Sequence, residues 1–149
     1  MELPPYVRID GGGDEPGVRA FGSTIGEVFE QSAYAMFDVG YDLEGVTPTY
    51  ARPVVAAGDT IEQLLVAWLT ELLAMSRVEG IVPCFFMVDR LEEGGVQGSA
   101  SGLFTAEVAT RGRVVGDVLT ASPEFIEIPG GFWVELRFVL ERPLRAVDG

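Results

Sequence analysis

A chain of 149 residues, 48% of them hydrophobic and with a formal charge of −13, is long enough for one compact domain and short for two. That charge argues against loose binding to phosphate backbones or anionic membranes, which needs concentrated positive charge, and leaves a basic protein partner open. All ten basic residues are arginine, so the absence of lysine and histidine excludes Ser-His and Cys-His nucleophile pairs, histidine metal ligands, Schiff bases and a P-loop lysine.

Cys84 is the only cysteine, which rules out an internal disulfide and leaves a zinc site with one thiolate. The N-terminal MELPPYVRID lacks the basic flank and apolar run of a signal peptide, and Glu71 interrupts the longest apolar stretch before it reaches bilayer length. The expectation is a cytoplasmic protein that neither spans a membrane nor binds nucleic acid stably, folded as a single domain over residues 1–149.

In chain order, Tyr6 to Ile9 and Val18 to Phe21 read as a pair of short strands joined by the glycine-rich DGGGDEPG. From Thr24 to about Val39, apolar residues recur at helical spacing, with Thr24 and Glu27 as a capping box and Gly40 as the stop. Thr49 to Ala57 is a strand, with Pro53 pointing to a sheet edge.

The stretch DTIEQLLVAWLTELLAMSRVEG, Asp59 to Gly80, is the central helix. Its apolar residues cover so much of the surface that it must lie against a sheet with more protein beside it. Asp59 and Glu62 are the expected capping box, and Gly80 the left-handed closing residue. The first helix, more amphipathic than the second, is expected nearer to solvent.

Beyond Gly80 the chain becomes β-rich. Ile81 to Val88 reads as a continuously buried strand, Glu92 to Gly95 as a turn, and Val96 onward as a polar strand punctuated by glycine. Glu107 to Thr110 and Val114 to Leu119 are candidate strands flanking a turn at Arg111-Gly112-Arg113. Phe125 to Ile128 and Phe132 to Leu140 flank Pro129-Gly130-Gly131 as a hairpin. In the last strand Phe132, Val134, Leu136, Phe138 and Leu140 share one face, so it should cross the core. Two strands, helix, strand, helix, then a run of strands is an α+β pattern.

With the other chemistries removed, carboxylates remain as a candidate site. Asp10, Asp14 and Glu15 in the first loop and Glu141 after the last strand offer hard oxygen ligands suited to Mg²⁺, Ca²⁺ or Mn²⁺. A solvated acidic turn is the other reading of that loop. Asp38, Asp42 and Glu44 form a second acidic group, read as a solvated face. Cys84, Trp68 and Trp133 fall in apolar segments and read as core residues.

Three segments, GVRAFGSTIGEVFEQSAYAMFDVGYDL, DTIEQLLVAWLTELLAMSRVEG and GGFWVELRFVLE, together resemble the archease family, which assists the RNA-splicing ligase of tRNA splicing and repair. The middle segment is similar to the family's Leu-Leu-Val-Asp-Trp-Leu-Asn-Glu-Leu-Leu signature. The resemblance implies an α+β fold with two helices packed against β-sheet. It further implies an accessory protein, without catalytic chemistry of its own, that uses a divalent metal to promote guanylylation of its ligase partner.

Carried over residue by residue, the resemblance also implies a metal site. The family's Asp-His-Thr-Ala-Asp motif corresponds to Asp10-Gly11-Gly12-Gly13-Asp14, one residue further from Gly17 than in the family. Counting from the left makes Asp14 the ligand, and counting back from Gly17 makes it Glu15. Glu141 replaces the family's terminal aspartate, and Arg142 follows it with the backbone carbonyl. The signature's aspartate and asparagine become Ala67 and Thr70, and the histidine expected around Ser122 to Phe125 is missing. An apolar framework kept while polar positions change leaves a second expectation, a module of this fold that binds another protein or a small ligand and no longer supports RNA ligation.

Overall fold

The computed structural model describes residues 5–9 and 15–141. Strands β1 (Tyr6–Arg8) and β2 (Gly17–Gly22) lead to helix α1 (Ile25–Asp38), strand β3 (Tyr50–Ala57) and helix α2 (Ile61–Glu79). Strands β4 (Ile81–Glu92), β5 (Gly95–Phe104), β6 (Val115–Val118), β7 (Ile126–Ile128) and β8 (Gly131–Leu140) follow. One sheet has the order β1-β2-β8-β6, with β7 also on β8, and the other the order β3-β5-β4. Every strand pairing is antiparallel. Each helix packs against strands of both sheets, so the two share one core. This is the α+β arrangement of two helices against β-sheet that the element order predicts.

Strand β8 organises the larger sheet because its alternation is nearly strict. Val134, Leu136 and Phe138 are fully buried, and β2 lies beside them in register, with Ala20 facing Val134 and Val18 facing Leu136. The intervening residues point outward. Trp133 is among them, half-buried and outside the core, with the Arg19 guanidinium 4.2 Å above its ring. The expectation that Trp133 is a core residue is therefore overturned by strand parity, since it shares a face with Glu135 and Arg137.

Trp68 on α2 behaves as predicted. It is fully buried, and its indole N–H donates to the Phe29 carbonyl of α1 at 3.2 Å, which satisfies the one polar atom the ring brings into the core. Leu64, Leu65, Leu69, Leu72 and Leu73 complete the buried face of α2. At about 1.5 to 3 kcal/mol per large side chain removed from water, they are the main local source of stability.

The start of α1 at Thr24 and the end of α2 at Gly80 are as expected, whereas the end of α1 and the start of α2 are each offset by one residue. Thr24 caps α1, its hydroxyl accepting from the Glu27 N–H at 3.1 Å, while the Glu27 carboxylate turns back to the Ser23 hydroxyl at 2.9 Å. On α2 the cap is Thr60 in place of Asp59. The Thr60 hydroxyl accepts from the Gln63 N–H, and the Gln63 side chain accepts from the Asp59 N–H, both at 3.1 Å. Two overlapping boxes are written in the sequence, and the pair that puts Ile61 in the first turn forms. Gly80 closes α2 in the left-handed region, at φ 66.

Gly40 lies outside α1, which ends at Asp38 and is capped by Val39 in a right-handed conformation. A side chain at Gly40 would come within 2.6 Å of the Val114 Cα, so glycine is needed there for close backbone approach.

Three further expectations are corrected. Helix α1 is no nearer to solvent than α2: Val28, Phe29, Ala33, Ala35, Met36 and Phe37 are all buried, because strands of both sheets cover it. Strand β4 is buried only in part, since Phe85 and Met87 alternate outward around buried Phe86. Residues 107–110 form no strand. A 3-10 turn, Thr105–Glu107, is followed by a single bridge between Thr110 and Tyr41. Pro53 does lie on an edge strand, β3. Among the described residues, no helix is long and apolar enough to cross a membrane.

Candidate functional site

The end of β8 is where chemistry-bearing side chains gather. The last pairings of this strand put Leu140 opposite Val115 on β6, and the Glu141 N–H donates to the Val114 carbonyl at 2.7 Å. The Glu141 carbonyl in turn accepts from the Arg113 guanidinium at 2.8 Å. These bonds fix the backbone from which the Glu141 carboxylate projects. Gly116 makes room for it, since a Cβ there would lie 2.8 Å from the Glu141 Cγ.

That carboxylate borders a cleft of about 200 Å³, lined on other sides by Tyr41, Ser76, Arg77 and Thr105. Arg77, in the last turn of α2, holds its guanidinium 3.4 Å from the Glu141 carboxylate and also donates to the Gly116 carbonyl. Both side chains of the ion pair are about half exposed, so solvent screens it. The Tyr41 hydroxyl is pushed above its ordinary pKa, first by burial and then by the negative charge of Glu141.

Glu15 stands at the same end of the sheet, on the opposite flank of β8. It is exposed, and its carbonyl accepts from the Arg137 guanidinium at 3.5 Å. The Phe138 N–H donates to the carbonyl of the next residue, Pro16, at 3.0 Å. The structure thus places Glu15 and Glu141 at one end of one strand, with β2 on one side and β6 on the other. Asp14 and Arg142, the remaining members of the implied set, lie outside the described residues, as does Asp10.

A hard divalent cation takes carboxylate and carbonyl oxygens, and Glu141 and Glu15 are exposed carboxylates of that kind. The donor chemistry fits, with Arg77 as the group a cation must displace. Among the described residues, no three Asp, Glu or Cys side chains converge on one point, so Glu141 and Glu15 alone do not complete a cage.

The second acidic group is more structured than a solvated face. The Asp38 carboxylate, whose side chain is only 14% exposed, accepts from the Tyr6 hydroxyl and from Arg111 at 3.1 Å. Arg111 also donates to the carbonyls of Asp38 and Tyr41, at 2.8 and 3.1 Å, and comes within 3.7 Å of the Asp42 carboxylate. A cation thereby satisfies free carbonyls at the C-terminal end of α1, where it is electrostatically favoured. Asp38 and Arg111 are 73 residues apart, and no local pattern announces their meeting. Burial and the Asp38 hydrogen bond push the Tyr6 hydroxyl far above its usual pKa. Cys84 is half-buried, and burial raises its thiol pKa, which suits the small hydrophobe expected from the sequence.

Comparison with known proteins bears on this arrangement. The model of the Archease protein family (MTH1598/TM1083) matches residues 14–114, a span that includes both helices and ends before Glu141. The chain is 39% identical over 88 residues to Protein archease of Methanosarcina mazei, covering 59% of this chain and 60% of that one. It is 31% identical over 126 residues to Protein archease of Sulfurisphaera tokodaii, covering 84% of this chain and 90% of that one. Across three Methanosarcina relatives the matched part spans 51% to 60% of their length. The solution structure of Methanobacterium thermoautotrophicum protein 1598 superposes with a TM-score of 0.73 at 25% identity, covering 91% of this chain and 99% of that one.

Proposed function

Since the chain belongs to the archease family, we propose that it is a cytoplasmic accessory protein of an RNA-splicing ligase in tRNA processing. In this reading it promotes guanylylation and turnover of the ligase and performs no catalysis itself. The observation that carries the reading is the Glu141 carboxylate, presented at the rim of a cleft by a backbone tied to both Val114 and Arg113. A chain of charge −13 is suited to meeting the basic surface of an RNA-binding enzyme and poorly suited to holding RNA directly.

A divalent cation (Ca²⁺, Mn²⁺ or Mg²⁺) belongs to the proposal. Glu141, one of Asp14 or Glu15, and the Arg142 carbonyl would hold it. When bound, it supplies positive charge able to neutralise phosphate oxygens. The residues of this chain do the positioning: Arg113 and Val114 anchor the backbone at Glu141, Gly116 leaves the side chain space, and Arg77 balances its charge. The test is calorimetric titration of Ca²⁺ and Mn²⁺ into metal-free protein, repeated with Asp14→Ala, Glu15→Ala and Glu141→Ala. Saturable binding lost with Glu141 and with one of the loop carboxylates supports the reading. No binding by a folded protein counts against it.

A second reading is favoured by the groove between β3 and α2, about 490 Å³ and lined by Val55, Val66, Ala67, Thr70 and Glu71 among others. Ala67 and Thr70 occupy the positions where the family signature carries a carboxylate and an amide, so the groove is less polar there than the signature would make it. A fold converted to binding another protein or a small ligand would keep such a groove and lose activity toward a ligase. Ligase stimulation unaffected by Ala67→Asp would favour the first reading.

A further inference from the structure

The cleft beside Glu141 holds one half-buried polar group with nothing to bond. Tyr41 lines it together with Ser76, Arg77, Thr105 and Glu141. The Ser76 hydroxyl is committed to the Ile81 carbonyl, and Thr105 is exposed, so water serves its hydroxyl. Tyr41 is different. It is half-buried, and among the described residues its hydroxyl has no hydrogen-bond partner. A phenol shielded from water gains free energy from any acceptor brought to it.

The backbone fixes Tyr41 beside the carboxylate. Its N–H donates to the Phe37 carbonyl at 2.9 Å, its own carbonyl accepts from Arg111 at 3.1 Å, and it forms a bridge with Thr110. The preceding residue, Gly40, lies against Val114, where a Cβ would come within 2.6 Å of the Val114 Cα. Val114 in turn accepts the Glu141 N–H on its carbonyl at 2.7 Å. Tyr41 and Glu141 are thus tied through one residue, and their side chains share one cleft. The Glu141 charge reaches the Tyr41 hydroxyl, since it raises the pKa there after the larger effect of burial.

We propose that Tyr41 is a positioning residue for Glu141: once Arg77 has given the carboxylate up to a divalent cation, the Tyr41 hydroxyl donates to its remaining oxygen. The inference rests on the reading that Glu141 holds a cation. Carboxylates that bind a metal are themselves hydrogen-bonded, which fixes their orientation. In this structure the partner of the Glu141 carboxylate among the described residues is Arg77, at 3.4 Å and half exposed. A guanidinium held so loosely gives way readily, and its charge repels a second cation. The phenol is neutral and donates one hydrogen bond. It therefore supports the carboxylate without opposing the ion.

Calorimetric titration of Ca²⁺ into the metal-free wild-type chain and into Tyr41→Phe tests this, with the near-ultraviolet difference spectrum of tyrosine followed in parallel. Phenylalanine keeps the ring and removes a hydroxyl that bonds nothing in the described structure, so the thermal melt should not fall. Ca²⁺ affinity should drop roughly tenfold, and the saturable tyrosine signal of the wild-type chain should vanish. Thr105→Val, which removes the exposed hydroxyl of the cleft, should leave both readouts as they were. A wild-type chain that binds Ca²⁺ without a tyrosine signal overturns the proposal and leaves the cation site standing. So does a Tyr41→Phe variant that binds as tightly as wild type. A wild-type chain that binds no Ca²⁺ overturns the cation site and the role of Tyr41 together.

Discussion

The Arg77 guanidinium stands 3.4 Å from the Glu141 carboxylate, joining the last turn of α2 to the residue that follows β8. The pair is half exposed, and pairs of this kind contribute about 0 to 1 kcal/mol. If Glu141 is a metal ligand, Arg77 competes with the cation for the same oxygens. Arg77→Ala should therefore raise Ca²⁺ affinity, by up to roughly fivefold at low salt and less at high salt. Weaker binding by this variant, measured calorimetrically, would mean that Arg77 supports the site in place of competing for it.

Tyr6, Asp38 and Arg111 should form a structural unit. Arg111→Ala removes two hydrogen bonds to carbonyls and one to the Asp38 carboxylate. With Arg111 partly exposed, the expected loss is about 1 to 2 kcal/mol in urea denaturation. A loss no larger than that of an ordinary surface substitution would show that the network does not hold β1 and α1 together.

The same network predicts a pH dependence at the alkaline end. The Tyr6 hydroxyl has its pKa raised in the folded state, by burial first and by its bond to Asp38 second. Its contribution is complete below the unfolded value near 10 and is lost as pH rises through the higher folded value. Stability should thus fall with pH above about 10, and fall less steeply in Tyr6→Phe. Part of the slope should persist in that variant, because burial also raises Tyr34 and Tyr41. Identical slopes above pH 10 for the two proteins would refute the assignment.

Gly98 lies on β5, against β4 beside it and Trp68 of the central helix. A Cβ there would land on the Met87 carbonyl oxygen and press on Trp68, which is fully buried. Backbone cannot yield as a side-chain tip can, so Gly98→Ala should destabilise by about 4 kcal/mol or more. A thermal melt close to wild type would show that the two strands can separate locally at no great cost.

The two tryptophans should report different surroundings. Trp68 is fully buried, whereas Trp133 lies half-buried on the outer face beneath Arg19. Trp133→Phe should leave fluorescence that is blue-shifted and protected from acrylamide. Trp68→Phe should leave emission that is quenched readily. The reverse pattern would place Trp133 in the core.

These differences show what could be read from the residues and what could not. The alternation of β8 from Phe132 to Leu140 and the 3.6-residue recurrence of α2 are written locally, because each element buries one face, and both were predictable. Parity also contained the answer for Trp133, although its apolar neighbours suggested burial. Whether Asp59 or Thr60 caps α2 was ambiguous, since both overlapping boxes are chemically sound. The burial of α1 depends on strands from both sheets, and the Asp38–Arg111 pair on residues far apart in sequence, so neither has a local signature. At the site, resemblance marks out Glu141, while the Arg77 beside it and the space left by Gly116 emerge only from the packing of α2 and β6 around the end of β8.

The function proposed for this chain, promotion of the turnover of an RNA-splicing ligase, is tested by a reconstituted ligation reaction. Purified chain is mixed with a purified RNA-splicing ligase, in the presence of Mn²⁺ and guanosine triphosphate, and ligated RNA is counted per ligase molecule. Multiple turnovers are expected only when the chain is present, with a gain that falls roughly tenfold or more in a folded Glu141→Ala variant. Equal turnover with and without the chain would contradict it.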